Sequence, residues 1–348
     1  MSGTIGSEYL QWVKTRKPAR FNLAASGVAP CAMADLGTTI SNIEINRPSL
    51  HGFAPLQQAM ATHCRVAEDC VVAASGTSMA NFIAMAALIT PGDEVLIERP
   101  AYEPLLAAAK YFGAAIKRFP REDGPRDVVS GRTRLIVATN LHNPTCAGFE
   151  QSELQTLADI ARSVGARVLV DEVYLECMYE NMSSAFHEGG DVVCTSSLTK
   201  AYGLGGLRCG WILAQPDLAT RMWHIKDLID PSAPHPAEQL SVIAFRQLPQ
   251  LAARAKTLIE RNRALLLPFL HSSSQIDLTL PDYGTCVFPR LKSGDGDRLF
   301  DLLYDRYDTA VVPGRFFEMA DHFRLGIGVE NNIFAEGLER LRSALGKL

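Results

Sequence analysis

Between about residue 70 and residue 215 the sequence repeats one pattern, a short continuous apolar run followed by a stretch with helical spacing. The apolar runs cover 71–74, 94–98, 114–119, 134–139, 167–171, 191–195 and 209–214. They are rich in Val, Ile and Leu without alternation, as strands covered on both faces must be. Helical patterns at 78–89, 103–111 and 151–164 lie between them, the last stopped by Gly165. Parallel strands need a crossover long enough to be a helix, and this chain supplies one repeatedly. The expected fold is therefore α/β, with a mainly parallel seven-stranded sheet flanked by helices.

The remainder has another character. Residues 234–270 read as one or two long helices, bounded by Pro234 and Pro236 at the start and Pro268 near the end. Strand-like pieces at 285–291 and 323–328 surround a helix at 297–307, and a last helix covers 332–345. This is the pattern of a smaller α+β unit, expected to pack with the N-terminal forty residues. The expected division is a large domain over 45–235 and a small domain made of 1–44 and 236–348. A cleft between two lobes is where small-molecule sites collect.

Composition removes several function classes. Of 348 residues, Lys and Arg number 34 and Asp and Glu 38, a net charge of −4 without a long basic run. Such a chain is not built for nucleic acid. No stretch approaches the roughly 18 apolar residues of a membrane helix, and the first eighteen residues lack the apolar core of a secretory leader. The eight cysteines, at 31, 64, 70, 146, 177, 194, 209 and 286, form no CxxC pair. They are expected to be reduced thiols of a cytoplasmic protein, with no metal site.

In a parallel α/β sheet the strand ends carry ligand-binding loops to one side. The run at 71–74 ends in Ser75-Gly76-Thr77-Ser78 and enters a helix directly, a turn that suits a phosphate. The same turn also suits an ordinary helix cap by Thr77 or Ser78. Asn143-Pro144-Thr145 follows the run at 134–139. Asp171, with Tyr174 three residues on, ends the run at 167–171, where a carboxylate calls for a positive partner. Ser197 and Lys200 follow the run at 191–195 and precede a Gly-rich stretch and Arg208. A lysine drawn inward there has its pKa lowered and becomes a usable nucleophile and base.

Taken in order, with Tyr102 after Arg99-Pro100 and Arg324 in Phe323-Arg324-Leu325-Gly326, these residues resemble the class I and II aminotransferases. Those are pyridoxal 5′-phosphate (PLP) enzymes of the aspartate-aminotransferase-like fold, and the likeness spans roughly residues 20–330. The resemblance implies that Lys200 holds PLP covalently and later moves the substrate's α-proton. Asp171 then pairs with the pyridine nitrogen, and Tyr174 and Asn143 bind the ring's phenolic oxygen. Ser75, Gly76, Thr77, Ser197 and Arg208 surround the phosphate, and Tyr102 stacks on the ring. Arg324 clamps the substrate carboxylate beside Asn143 and the backbone at Gly27. The implied reaction moves an amino group from an amino acid to a 2-oxo acid. Decarboxylation, elimination, cyclisation or oxidation on the same scaffold is the alternative.

Two departures stand out. His51 takes the place where the family has a tyrosine that reaches the phosphate of the neighbouring subunit, so a homodimer is expected with His51 crossing between chains. Cys146-Ala147 also intervenes before Gly148, where the family commonly has glycine directly after the Asn-Pro-Thr motif.

Overall fold

The computed structural model describes residues 6–48, 51–180 and 182–348. Helix α1 (Glu8–Thr15) and strand β1 (Phe21–Asn22) precede α2 (Ala54–Cys64). Then come β2 (Val71–Ser75), α3 (Thr77–Leu88), β3 (Glu94–Arg99), α4 (Glu103–Tyr111) and β4 (Ala115–Pro120). They are followed by β5 (Thr133–Thr139), α5 (Gln151–Ser163), β6 (Arg167–Asp171), β7 (Val192–Ser197) and β8 (Cys209–Leu213). Three helices, α6 (Pro216–Asp227), α7 (His235–Arg246) and α8 (Leu248–Ser272), lead to the short strands β9 (Ile276–Asp277), β10 (Cys286–Val287) and β11 (Arg290–Leu291). The chain closes with α9 (Gly296–Tyr307), β12 (Thr309–Ala310), β13 (Val312–Pro313), β14 (Phe323–Gly326) and α10 (Asn331–Leu345).

All seven expected runs enter one sheet, in the order β2-β8-β7-β6-β5-β3-β4. Strands β3 to β7 pair in parallel, while β8 runs antiparallel to both β7 and β2. One face packs Leu96, Ile136, Val168 and Trp211 under α2, α5 and α7. The other packs Val95, Val137, Leu169 and Ile212 under α3, α4 and α6. Double coverage is why the central strands lack an alternating pattern. The run expected at 114–119 to be covered on both faces instead forms the edge strand β4, whose residues alternate between exposed and half-buried up to Phe119. Strand β7 extends past its apolar run to Ser197, because Ser196 and Ser197 still pair with Trp211 and Gly210 of β8.

Strands β10, β14 and β13 form a small antiparallel sheet, and β1 adds in parallel to β12. The N-terminal segment is laid against this unit by backbone bonds, Gly326 N to Leu23 O at 2.7 Å and Ala29 N to Gly328 O at 2.6 Å. Tyr9 and Trp12 of α1 pack among Phe288, Phe300, Phe316 and Phe317. Helix α7 instead packs on the large sheet's core through Val242 and Ala244, as do Leu248 and Leu251 of α8. Ala255, Leu258 and Ile259 of α8 belong to the C-terminal core. We therefore propose that the passage between lobes lies within α8, between Leu251 and Ala255, in place of the boundary expected at 235/236. Pro268 does not end this helix, which continues to Ser272 around it. Burial of Leu266 and Phe269 on either side offsets the missing backbone donor. Among the described residues no helix is long and apolar enough to cross a membrane.

The contact between Gly326 and the N-terminal segment admits no side chain, since a Cβ on Gly326 would lie 2.0 Å from Ala25 O. We expect Gly326→Ala to cost about 1–3 kcal/mol by overpacking, measured by urea unfolding. Gly346→Ala, whose added Cβ meets nothing nearer than 3.7 Å, should be nearly neutral in the same assay.

Candidate active site

The C-terminal ends of β5, β6 and β7, the start of α3 and the turn before β8 converge on one cavity. Thr77, Tyr102, Asn143, Asp171, Tyr174, Ser197, Lys200 and Arg208 line it, together with Ser26, Asn81, Thr139 and Thr199. Eight of the residues singled out in the sequence thus meet in one wall.

At one end lies an anion-shaped cradle. Gly76 caps α3 at φ +82°, with no side-chain cap at all, so the free N–H groups of the first turn remain available. The ordinary cap by Thr77 or Ser78 is not what forms. Thr77 Oγ1 donates instead to Ser197 Oγ at 2.9 Å. Arg208 closes the cradle, its Nη2 donating to Ser75 O at 3.0 Å. The φ of +82°, which L side chains rarely adopt, is why glycine is required there, and an added Cβ would also lie 2.3 Å from that nitrogen and displace it. Ser75 itself turns away, donating from Oγ to Asp230 Oδ2 at 2.6 Å.

Asp171 is 3% exposed. Its Oδ1 accepts from Val173 N at 3.0 Å and its Oδ2 from Asn81 Nδ2 at 2.8 Å. Burial pushes the carboxyl up to about 6, against the pull of those donors and of Lys200. Lys200 Nζ donates to Ser26 Oγ at 2.8 Å. Enclosure, and next the nearby Arg324 guanidinium, pull its amine down to about 8. Gly27 lies against Lys200, where an added Cβ would come within 3.1 Å of the lysine Cα.

Behind Asn143, outside the cavity lining, lies Arg324, 1% exposed. Nη1 donates to Asn143 Oδ1 at 2.9 Å, and Nη2 to Tyr9 OH at 2.9 Å and Ala24 O at 3.3 Å. It forms no ion pair among the described residues, and its Nε is buried without a partner. A buried guanidinium held only by neutral groups can pair with a carboxylate that reaches it. The loop that presents Asn143 turns at Cys146, whose φ of +58° lies in the left-handed region that favours glycine. The left-handed backbone is the reason glycine is expected at this place, and cysteine adopts it here. Cys146 Sγ lies 3.3 Å from Cys286 Sγ, and all eight cysteines are free thiols.

The sequence pattern of the family "Aminotransferase class I and II" matches residues 40–341. The chain belongs to that family. Capreomycidine synthase of Streptomyces vinaceus is 31% identical over 313 residues, covering 86% of this chain and 80% of the relative. A PLP-dependent aminotransferase from Streptococcus suis superposes with a TM-score of 0.90 at 23% identity, covering 97% of each chain. The PLP-dependent cyclase OrfR superposes with a TM-score of 0.89 at 23% identity, covering 98% of this chain and 97% of that one.

Pyridoxal 5′-phosphate is the cofactor of this aminotransferase-family chain, and the cavity fits it. Besides the anion cradle, Tyr174 is 1% exposed and its hydroxyl is buried without a protein partner. An orphaned phenol on a ligand cavity calls for an acceptor or donor on the ligand. His51 lies outside the cavity. Its ring stacks on Trp223 at 5.4 Å, with Nε2 2.9 Å from Asp227 Oδ2. The preceding residues of its segment, Ser49 and Leu50, lie outside the described residues.

Sequence reasoning missed Tyr9, Ser26, Asn81, Thr139 and Thr199. Only Asn81 carried a signal, an amide inside the otherwise apolar pattern of α3. Lowering of the Lys200 pKa gives a test. An amine reacts only when neutral, so labelling of Lys200 in the apoprotein by trinitrobenzenesulfonate should reach half its maximal rate near pH 8. An ordinary lysine titrates about two units higher. Peptide mapping across pH 6–11 separates the two profiles.

Proposed function

We propose that this chain is an aminotransferase that moves an amino group from an amino acid to a 2-oxo acid, with Lys200 as the reacting amine. The observation that carries the reading is a lysine with a depressed pKa lining the cavity, with a buried guanidinium behind the cavity wall, joined to it through Asn143 and without an ion pair among the described residues. Bound PLP supplies an electron-poor ring that takes up the electron pair left when a bond at the substrate's α-carbon breaks.

The chain's own groups do the rest. Arg324 grips the substrate carboxylate through its planar fork, with Asn143 and Tyr9 fixing the plane of the guanidinium. That grip orients the α-carbon toward Lys200, whose amine takes the proton as a general base and returns it as a general acid. An amine near pH 8 suits both directions, since neither protonation state is far from populated at neutral pH. With PLP bound, Asp171 would pair with the ring nitrogen and keep it protonated, and Tyr174 would donate to the phenolic oxygen. Thr77, Ser197 and Arg208 hold the phosphate, with Ser75 bracing Arg208 through its carbonyl. The Gly76 amide, expected there from the sequence, donates instead to Ala74 O at 2.8 Å. Tyr102 covers the ring, and Gly27 brings the N-terminal segment down on Lys200, excluding water.

A second reading, cyclisation or another PLP reaction on an amino acid, is favoured by the likeness to OrfR. The two part at a measurable point. A transaminase releases one equivalent of 2-oxo acid per site from the amino donor alone, before any acceptor is added. Stoichiometric release across an amino-acid panel supports transamination. Full conversion of a substrate with no oxo acid formed gives the site to the other reaction.

Asp171→Asn should retain the fold and lower kcat on the order of 10²–10³, the scale of removing one electrostatic stabiliser. Near-normal turnover defeats the role given to Asp171. We also propose a two-fold homodimer in which His51 reaches the partner's phosphate. Exposed Ile40, Ile45 and Leu228 support an interface on that side of the molecule. In that arrangement His51→Ala and Lys200→Ala chains, inactive apart, should regain activity when mixed and exchanged, because one site of each hybrid carries neither defect. No recovery after verified exchange returns His51 to its own chain.

A further inference from the structure

The mechanism uses Asp171 but not the groups behind it. Strand β6 ends at Asp171, and in the sheet register its neighbour on β7 is Thr195. Asn81 of α3 reaches down between the two. Thr195 Oγ1 donates to Asn81 Oδ1 at 2.6 Å, and Asn81 Nδ2 donates to Asp171 Oδ2 at 2.8 Å. All three side chains are buried, in a part of the sheet otherwise filled by Ile83, Leu169 and Val193.

We propose that Asn81 and Thr195 are positioning residues, a two-step relay that holds the Asp171 carboxylate ionised and turned toward the ring nitrogen of the cofactor. An amide can present either its oxygen or its nitrogen to a neighbour, and only the nitrogen serves an ionised carboxylate. The ionised Asp171, an acceptor only, takes the N–H₂ group, and the Thr195 hydroxyl, which can donate or accept, completes the arrangement by donating to the amide oxygen that remains. The carboxylate is then fixed at both oxygens, by Val173 N on one and Asn81 on the other, so it cannot rotate freely about its last bond.

The energetic direction agrees with the geometry. Burial drives Asp171 toward its neutral acid, and among the groups opposing this the Asn81 hydrogen bond ranks first. Lys200 also favours the ionised form, whereas Glu98 disfavours it. Tyr102, on the opposite wall, also faces Asp171. A neutral Asp171 can no longer hold a proton on the ring nitrogen by charge, so losing Asn81 weakens the contact that gives the cofactor its electron demand. A polar residue in the middle of an apolar helix, which costs stability when unpartnered, has its reason here.

This inference rests on Asp171 being the partner of the ring nitrogen, and the test separates the two claims. Dissociation constants are measured on apoprotein for PLP and for its carbocyclic analogue, in which the ring nitrogen is replaced by C–H. Wild type should prefer PLP strongly; equal affinity for both overturns the role of Asp171 itself. Asn81→Leu should weaken PLP about 10- to 100-fold, the scale of one hydrogen bond to a charged group, and leave the analogue nearly unchanged. Thr195→Val, which keeps the shape of the strand residue, should weaken PLP in the same selective way, and Thr195→Ser should restore it. Equal weakening of PLP and analogue by both Asn81→Leu and Thr195→Val reduces the pair to a packing role and overturns the relay, as does unchanged PLP affinity in both.

Discussion

Asp171 ends a strand whose preceding residues are apolar and buried, so its carboxylate persists there only with donors supplied from elsewhere. That requirement organises its surroundings. The turn after β6 must bend to bring Val173 N back onto Oδ1, and α3 must pass close enough for Asn81 to reach Oδ2. Because α3 is thereby fixed against the sheet, its N-terminus stands beside the end of β7, where Thr77 meets Ser197. The anion cradle and the acidic group are thus two ends of one helix's placement.

The fold was readable because double burial writes itself plainly. The central strands of the large sheet are apolar runs, and helices of adequate length fall between most of them; the edge strand β4, with Lys117 and Arg118, is the exception. The polar residues at strand ends were readable for the same reason, since a charge beside such a run has no structural excuse. What escaped were contacts made by distance. Tyr9 supports Arg324 across 315 positions of sequence, and nothing local marks it. Ser26 is one hydroxyl in a segment of small residues. Helix α7 follows a proline-rich break that suggests a boundary, yet its apolar stripe was selected for the large sheet's core. His51 stacks on Trp223 in its own chain, and what it meets beyond that chain is not encoded in its neighbours.

Family membership and reaction are separate matters here. Holding an amino acid by its carboxylate, removing its α-proton and stabilising the resulting charge are common to transamination and cyclisation. The residues proposed for those acts, Arg324, Lys200 and Asp171, are therefore silent about which follows. The difference belongs to groups that touch the substrate's side chain and to whether water or an internal nucleophile arrives next.

The backbone bonds that tie Leu23 to Gly326 and Ala29 to Gly328 have a consequence for biosynthesis. A chain emerging from the ribosome makes its first thirty residues long before β14 exists. The large sheet has all its strands once β8 is complete, but the contact of Arg324 with Tyr9 cannot form then, because the two come from opposite ends of the message. The N-terminal segment gains these partners only after β14 has been translated, so a chain cut before β14 lacks both backbone bonds and the Tyr9 contact.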